Sequence, residues 1–206
     1  MRNNRSKYVI VFALMISIVA LSLGFAAYSS TLTIKATADV TGCSTCFNVS
    51  LSKSNTSVST GSVTPTVSGA TGSNATLSAN KIEGLKATFT NRGQSVKYNF
   101  YAYNAGEFIA YLNSVAIGSK TCTPVTGTNA TYVANACNGI SLSVKVGSGS
   151  ATTYTSTNNS ISSHSLAVGS AEPVEVTISY GASAALADGD FTVSFGDVVL
   201  TYGSAD

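Results

Sequence analysis

Few residues in this chain have the types and spacing that chemistry needs. His164 is the single histidine, set among serines in the run SSHSL. A hydrolytic relay places a histidine between a nucleophile and a carboxylate. Neither a G-x-S-x-G elbow nor an H-E-x-x-H helix accompanies it. His164 therefore reads as a surface or strand residue, and the chain as a non-enzyme. Asp188 and Asp190, in ADGDF, lie near Asp197 and offer the oxygen ligands that Ca²⁺ takes. The twelve-residue calcium loop is missing. An Asp-Gly pair also suits a hairpin turn with positive φ angles. The turn is the favoured reading, and no metal or other cofactor is expected.

Four cysteines are present, Cys43, Cys46, Cys122 and Cys137. A zinc ribbon needs two C-x-x-C knuckles, and only CSTC at 43–46 has that form. A thioredoxin-like redox role for CSTC would need a βαβ context that the sequence does not supply. Disulfides are the better use, which requires an oxidising compartment. Four cysteines allow three connectivities; the favoured one joins Cys43 to Cys46 and Cys122 to Cys137, the second closing the loop TPVTGTNATYVANA.

The N-terminus agrees with export. MRNNRSK is basic, and the uncharged apolar run Tyr8–Ala27 is long enough to cross a bilayer as a helix. Gly24 and Ala26 supply the small residues a signal peptidase needs. The same run retained would anchor the domain outside the membrane, its basic end in the cytoplasm. Either outcome puts residues 28–206 outside, at the cell surface or free. The net charge of +2 arises in this leader: Arg2, Arg5 and Lys7 are three of the 11 basic residues, leaving eight against nine acids. Without a Lys/Arg cluster the folded part lacks the footprint of a nucleic-acid binder.

The remainder must position whatever the chain presents. Charged residues make up 10%, against roughly 25% in ordinary soluble domains. Ser, Thr, Gly and small apolar residues fill the gap, a composition suited to sheet. Apolar residues alternate in Leu85-Ala87-Phe89, in Ile140-Leu142-Val144-Val146 and in Val174-Val176-Ile178-Tyr180. In the last stretch Phe191, Val193 and Phe195 share a face, continued after a one-residue slip by Val198, Leu200 and Tyr202. That slip predicts a β-bulge at Gly196-Asp197. The aromatic run 95–115 raises the question of a ring platform, but counting by twos sends Val96, Tyr98, Phe100 and Ala102 inward. Only Tyr101 and Tyr103 remain as ordinary outward cross-strand rings. Residues 53–80, rich in Ser, Thr and Gly, read as an insert of weak edge strands and long turns. No stretch after residue 28 keeps a helical apolar period for three turns. The expectation is one antiparallel β-sandwich, jelly-roll or immunoglobulin-like, of roughly eight to ten strands behind one apolar N-terminal helix. Six N-x-[ST] triplets, at Asn4, Asn48, Asn55, Asn74, Asn129 and Asn158, mark exposed polar stretches.

Residues 30–40 form a strand of their own, with Leu32, Ile34, Ala36, Ala38 and Val40 on one face. A first strand of this kind pairs within its own sheet or inserts into the open edge of a neighbour. Insertion is head-to-tail and builds filaments. GFAAYSSTLTI, GQSVKYNFYAYNAG and VEVTISY with DGDFTVSFGDVVLTY resemble the exported TasA/camelysin-like proteins of Gram-positive bacteria. The resemblance implies a jelly-roll-like sandwich and, in some members, matrix fibres built by strand exchange. The peptidase activity described for camelysin-type members is not carried over, because this chain has one histidine and no zinc motif. The expected function is a structural surface or matrix protein whose partner is another copy of itself or another surface protein. The alternative is a binding or adhesion module held at the membrane by residues 8–27.

Overall fold

The computed structural model describes residues 13–15, 46–148, 152–161 and 164–204. The chain divides into two units, Met1–Gly42 and Cys43–Asp206. In the first, residues 13–15 are helical, with Leu14 and Met15 exposed. The donor residues Leu32, Ile34, Ala36, Ala38 and Val40, the cleavage residues Gly24 and Ala26, and Cys43 lie outside the described residues. So does most of the apolar run 8–27. The described residues of the second unit are all-β apart from one short helix.

Two long strands organise its first sheet. β8 (Ser95–Asn104) and β14 (Ala171–Tyr180) pair antiparallel so that Val96, Tyr98 and Phe100 stand beside Ile178, Val176 and Val174. All six side chains are buried, because matched period-two patterns put both apolar sets on one face. β1 (Val49–Ser52) and β3 (Thr66–Ser68) pair with the other side of β8. β11 (Ile140–Val146) extends the sheet beyond β14, and β12 (Thr152–Tyr154) returns antiparallel on β11.

The facing layer consists of two sheets. One has the order β10 (Lys120–Pro124), β15 (Phe191–Phe195), β7 (Lys86–Phe89), β4 (Thr71–Gly72). The other runs β13 (Ser165–Leu166), β9 (Ala110–Ile117), β16 (Val198–Ser204), β6 (Lys81–Glu83), β5 (Ala75–Leu77), β2 (Gly61–Val63). These sheets share four strands of the chain, each interrupted by two residues at one level: Gly118-Ser119, Gly196-Asp197, Gly84-Leu85 and Ser73-Asn74. Hydrogen bonds continue across the line, from Gly118 N to Asp197 O and Gly196 N to Ser119 O, both 2.9 Å, and from Phe195 N to Leu85 O at 3.0 Å. A Cβ on Gly118 would collide with the backbone of Gly196, so the close approach there requires glycine. The expected bulge at Gly196-Asp197 is thus one member of a crease across the whole layer. A true register shift falls later, between Thr201 and Tyr202.

One core joins the layers. Phe89 and Phe191 of the second layer both pack edge-on against Tyr180 of the first, with ring centroids 5.8 and 5.3 Å from it. Tyr98 is fully buried and donates its hydroxyl to Ser73 O at 2.9 Å across the core. Burial of such rings contributes roughly 1.5–3 kcal/mol each, and each buried hydroxyl needs a partner of this kind. The fold is a β-sandwich of antiparallel sheets.

Three expectations need correction. The described residues hold sixteen strands, because the crease splits four of them and residues 61–77 contribute four very short ones. Residues 53–80 are more than weak edge strands: β2 and β4 do end their sheets, but Val63, Ala70, Ala75 and Leu77 are buried, and β3 and β4 sit in opposite layers. A helix, α1 (Ala130–Cys137), lies inside the disulfide loop, whereas the expectation is of no helix beyond the N-terminal run.

Candidate functional site

The disulfide Cys122–Cys137 forms as expected, with Cα atoms 6.1 Å apart. Cys46 is also disulfide-bonded; the expected pairing to Cys43 involves a residue outside the described set. The bridge fastens the end of α1 to β10. Lys120 fastens the same end, its ammonium donating at 2.6 Å to Cys137 O, where a helix's unpaired carbonyls attract a cation, and at 2.8 Å to Ile140 O at the start of β11. Burial lowers the pKa of that lysine. At the other end Asn129 caps the helix by accepting from Thr131 N at 2.9 Å.

The three aspartates are used separately. Asp188 accepts Asn129 N at 3.0 Å, a carboxylate at a helix start. Asp190 holds the loop through its main-chain oxygen, which accepts Val125 N at 3.0 Å. Asp197 lies on the crease and pairs with Lys81 at 2.8 Å; Lys81 also meets Glu83 at 2.8 Å. The two carboxylates raise the Lys81 pKa, Asp197 foremost. Among the described residues no three such ligands gather into a metal site. The hairpin reading of ADGDF fails as well. β14 and β15 belong to opposite layers, and Gly189 is not among the positive-φ glycines. The loop crosses between sheets.

His164 is not a free surface group. Its Nε2 meets Glu172 Oε2, and the other Glu172 oxygen accepts the Tyr202 hydroxyl at 2.7 Å. Glu172 is buried and points inward beside Ala102. Burial first, and the Glu172 charge second, push the Tyr202 hydroxyl well above the usual tyrosine range. Burial likewise raises Tyr154, with Glu172 as a smaller contributor. Sequence reading missed Glu172, although it shares the parity of Val174 and Val176; a charge at an inward position was the available signal.

Tyr202 also forms the back of an open cleft of about 100 Å³ between the layers, lined by Phe47, Val49, Leu51, Asn80 and Leu200. The cleft follows from the chain's alternation. Glu107 N donates to Cys46 O, and Ala105 N to Asn48 O, both toward β8. Phe47, Val49 and Leu51 therefore turn their main-chain groups outward. Leu51 N–H is taken by Ala79 O at 2.7 Å. Among the described residues no strand pairs with the outward side of β1 at Val49, and Phe47, two residues before it, stays 36% exposed beside the cleft. Such an edge can accept another strand, with alternate side chains entering the cleft.

The asparagines of the triplets, Asn48, Asn55, Asn74, Asn129 and Asn158, are all exposed, although Ser50 and Ala75 within two of the triplets are buried. Among the described residues no helix is long and apolar enough to cross a membrane. No protein-family model, curated protein or solved structure matches the chain.

Proposed function

We propose that this chain is an exported, non-enzymatic structural protein of the cell surface or extracellular matrix. Its copies associate by strand exchange, residues 30–40 of one adding to the Phe47–Leu51 edge of the next. The observation that carries the reading is that edge: outward main-chain groups beside an apolar cleft at the border of the first sheet. Two features support it. The compact unit holding the sandwich begins at Cys43, after the donor segment, and Leu32, Ile34, Ala36, Ala38 and Val40 alternate as an inserting strand must. The contact joins unlike surfaces and so propagates head-to-tail. The basic leader, the apolar run and the disulfides favour export.

Deleting residues 30–40 tests the proposal. A folded sandwich by circular dichroism that no longer forms filaments in electron micrographs is the expected result; filaments in the deletion variant refute it. Retention of residues 8–27 would instead favour the membrane-held binding module, and the intact mass of the mature protein distinguishes the two.

A further inference from the structure

The geometry points to a second surface, independent of strand exchange: a site for a neutral pyranose chain on the outer face of the first sheet. A groove of about 450 Å³ lies there, lined by Asn99, Tyr101, Lys145, Ser148, Pro173 and Glu175. Its floor is set by register. Asn99, Glu175 and Lys145 stand side by side on β8, β14 and β11, and the next row holds Tyr101 beside Pro173. Pro173 explains why the groove opens. Its carbonyl accepts Gly147 N at 2.9 Å, so its ring nitrogen also faces β11 and has no proton to extend that ladder. β11 ends there, turning away at Gly147 with φ 94°.

The half-exposed Tyr101 ring and the exposed Pro173 ring make a flat apolar row. The neighbouring row supplies an amide, a carboxylate and an ammonium, the donors and acceptors that fix ring hydroxyls in orientation. A pyranose presents apolar C–H faces and polar edges, which matches the two rows. The volume falls within the range of small-ligand clefts. Charge favours a neutral chain over an acidic one. The groove holds one cation and one anion, and Glu175 is already paired with Lys97 at 3.3 Å and with the Thr177 hydroxyl at 3.3 Å.

The test is isothermal titration calorimetry of the purified chain with a β-linked glucose hexasaccharide, an α-linked one and a mannose hexasaccharide. A galacturonate hexasaccharide serves as the anionic arm. At least one neutral chain should bind, and Tyr101→Ala should weaken it about tenfold, the factor from uncovering one ring face. Tyr101→Phe should retain binding, and Asn99→Ala should weaken it a few-fold. Tyr132→Ala, at an exposed tyrosine on α1, should change nothing. Circular dichroism of each variant separates lost binding from lost fold. The proposal is overturned if no neutral chain binds, if only galacturonate binds, or if folded Tyr101→Ala and Asn99→Ala variants bind as the parent does.

Discussion

Opening the Cys122–Cys137 bridge should cost a definite amount of stability and leave the sandwich standing. The bridge closes a segment of 15 residues, and the loop-closure model assigns about 3 kcal/mol to that length. In a domain of this size each kcal/mol moves the melting temperature about 2–4 °C, so Cys122→Ala with Cys137→Ala should melt roughly 6–12 °C lower. The fold should persist because α1 keeps the Lys120 ammonium on Cys137 O, the Asp188 carboxylate at its start, and Val133 and Ala136 in the core. The assay is urea unfolding of both proteins, followed by fluorescence and by far-ultraviolet circular dichroism. Hydrogen exchange should show the first losses of protection at residues 130–137. A loss under about 1 kcal/mol would refute the loop-entropy reasoning, because the unfolded segment would then already be constrained. Collapse of the whole sandwich would refute the reasoning that Lys120, Asp188 and the core contacts hold α1 without the bridge.

The cluster around Glu172 makes a sharper demand: Glu172→Ala strands His164 and the Tyr202 hydroxyl, and urea unfolding should report a loss of about 3–5 kcal/mol. Tyr202→Phe should cost about 1.5–3 kcal/mol near neutral pH by the same measurement. It should also change the alkaline limb. The folded-state pKa of Tyr202 is raised, so its stabilisation is whole below about pH 10 and is lost as pH rises through the folded value. The variant should lose less stability than the parent across that window; parallel curves would contradict this. Gly118→Ala forces a side chain into the backbone of Gly196 on the crease, and thermal unfolding should show a loss of about 1–3 kcal/mol.

The sequence announced strands wherever a period of two ran for several residues, as in 95–102, 140–146 and 174–180. It announced the inward face of each, because alternation and burial are the same fact in a sheet. It did not announce which strands pair. The NAG turn at 104–106 looks like a hairpin, yet β8 and β9 lie in opposite layers. Nor did it reveal the crease. A two-residue break in one strand reads as a bulge, and only pairing shows four breaks brought to one level. The helix α1 was hidden by its brevity, with Val133 and Ala136 its only buried residues. The outward edge at Phe47 and Val49 depends on which main-chain groups face β8, and side-chain identity does not encode that.

The central claim, that residues 30–40 of one copy occupy the Phe47–Leu51 edge of another, is tested most directly by a photo-reactive residue in place of Ile34. The labelled chain is assembled with an equal amount of ¹⁵N-labelled chain, illuminated and digested. Cross-linked peptides should join residue 34 of one isotope to a peptide containing Phe47–Leu51 of the other. Cross-links confined to a single isotope, or to any other surface, would contradict the account.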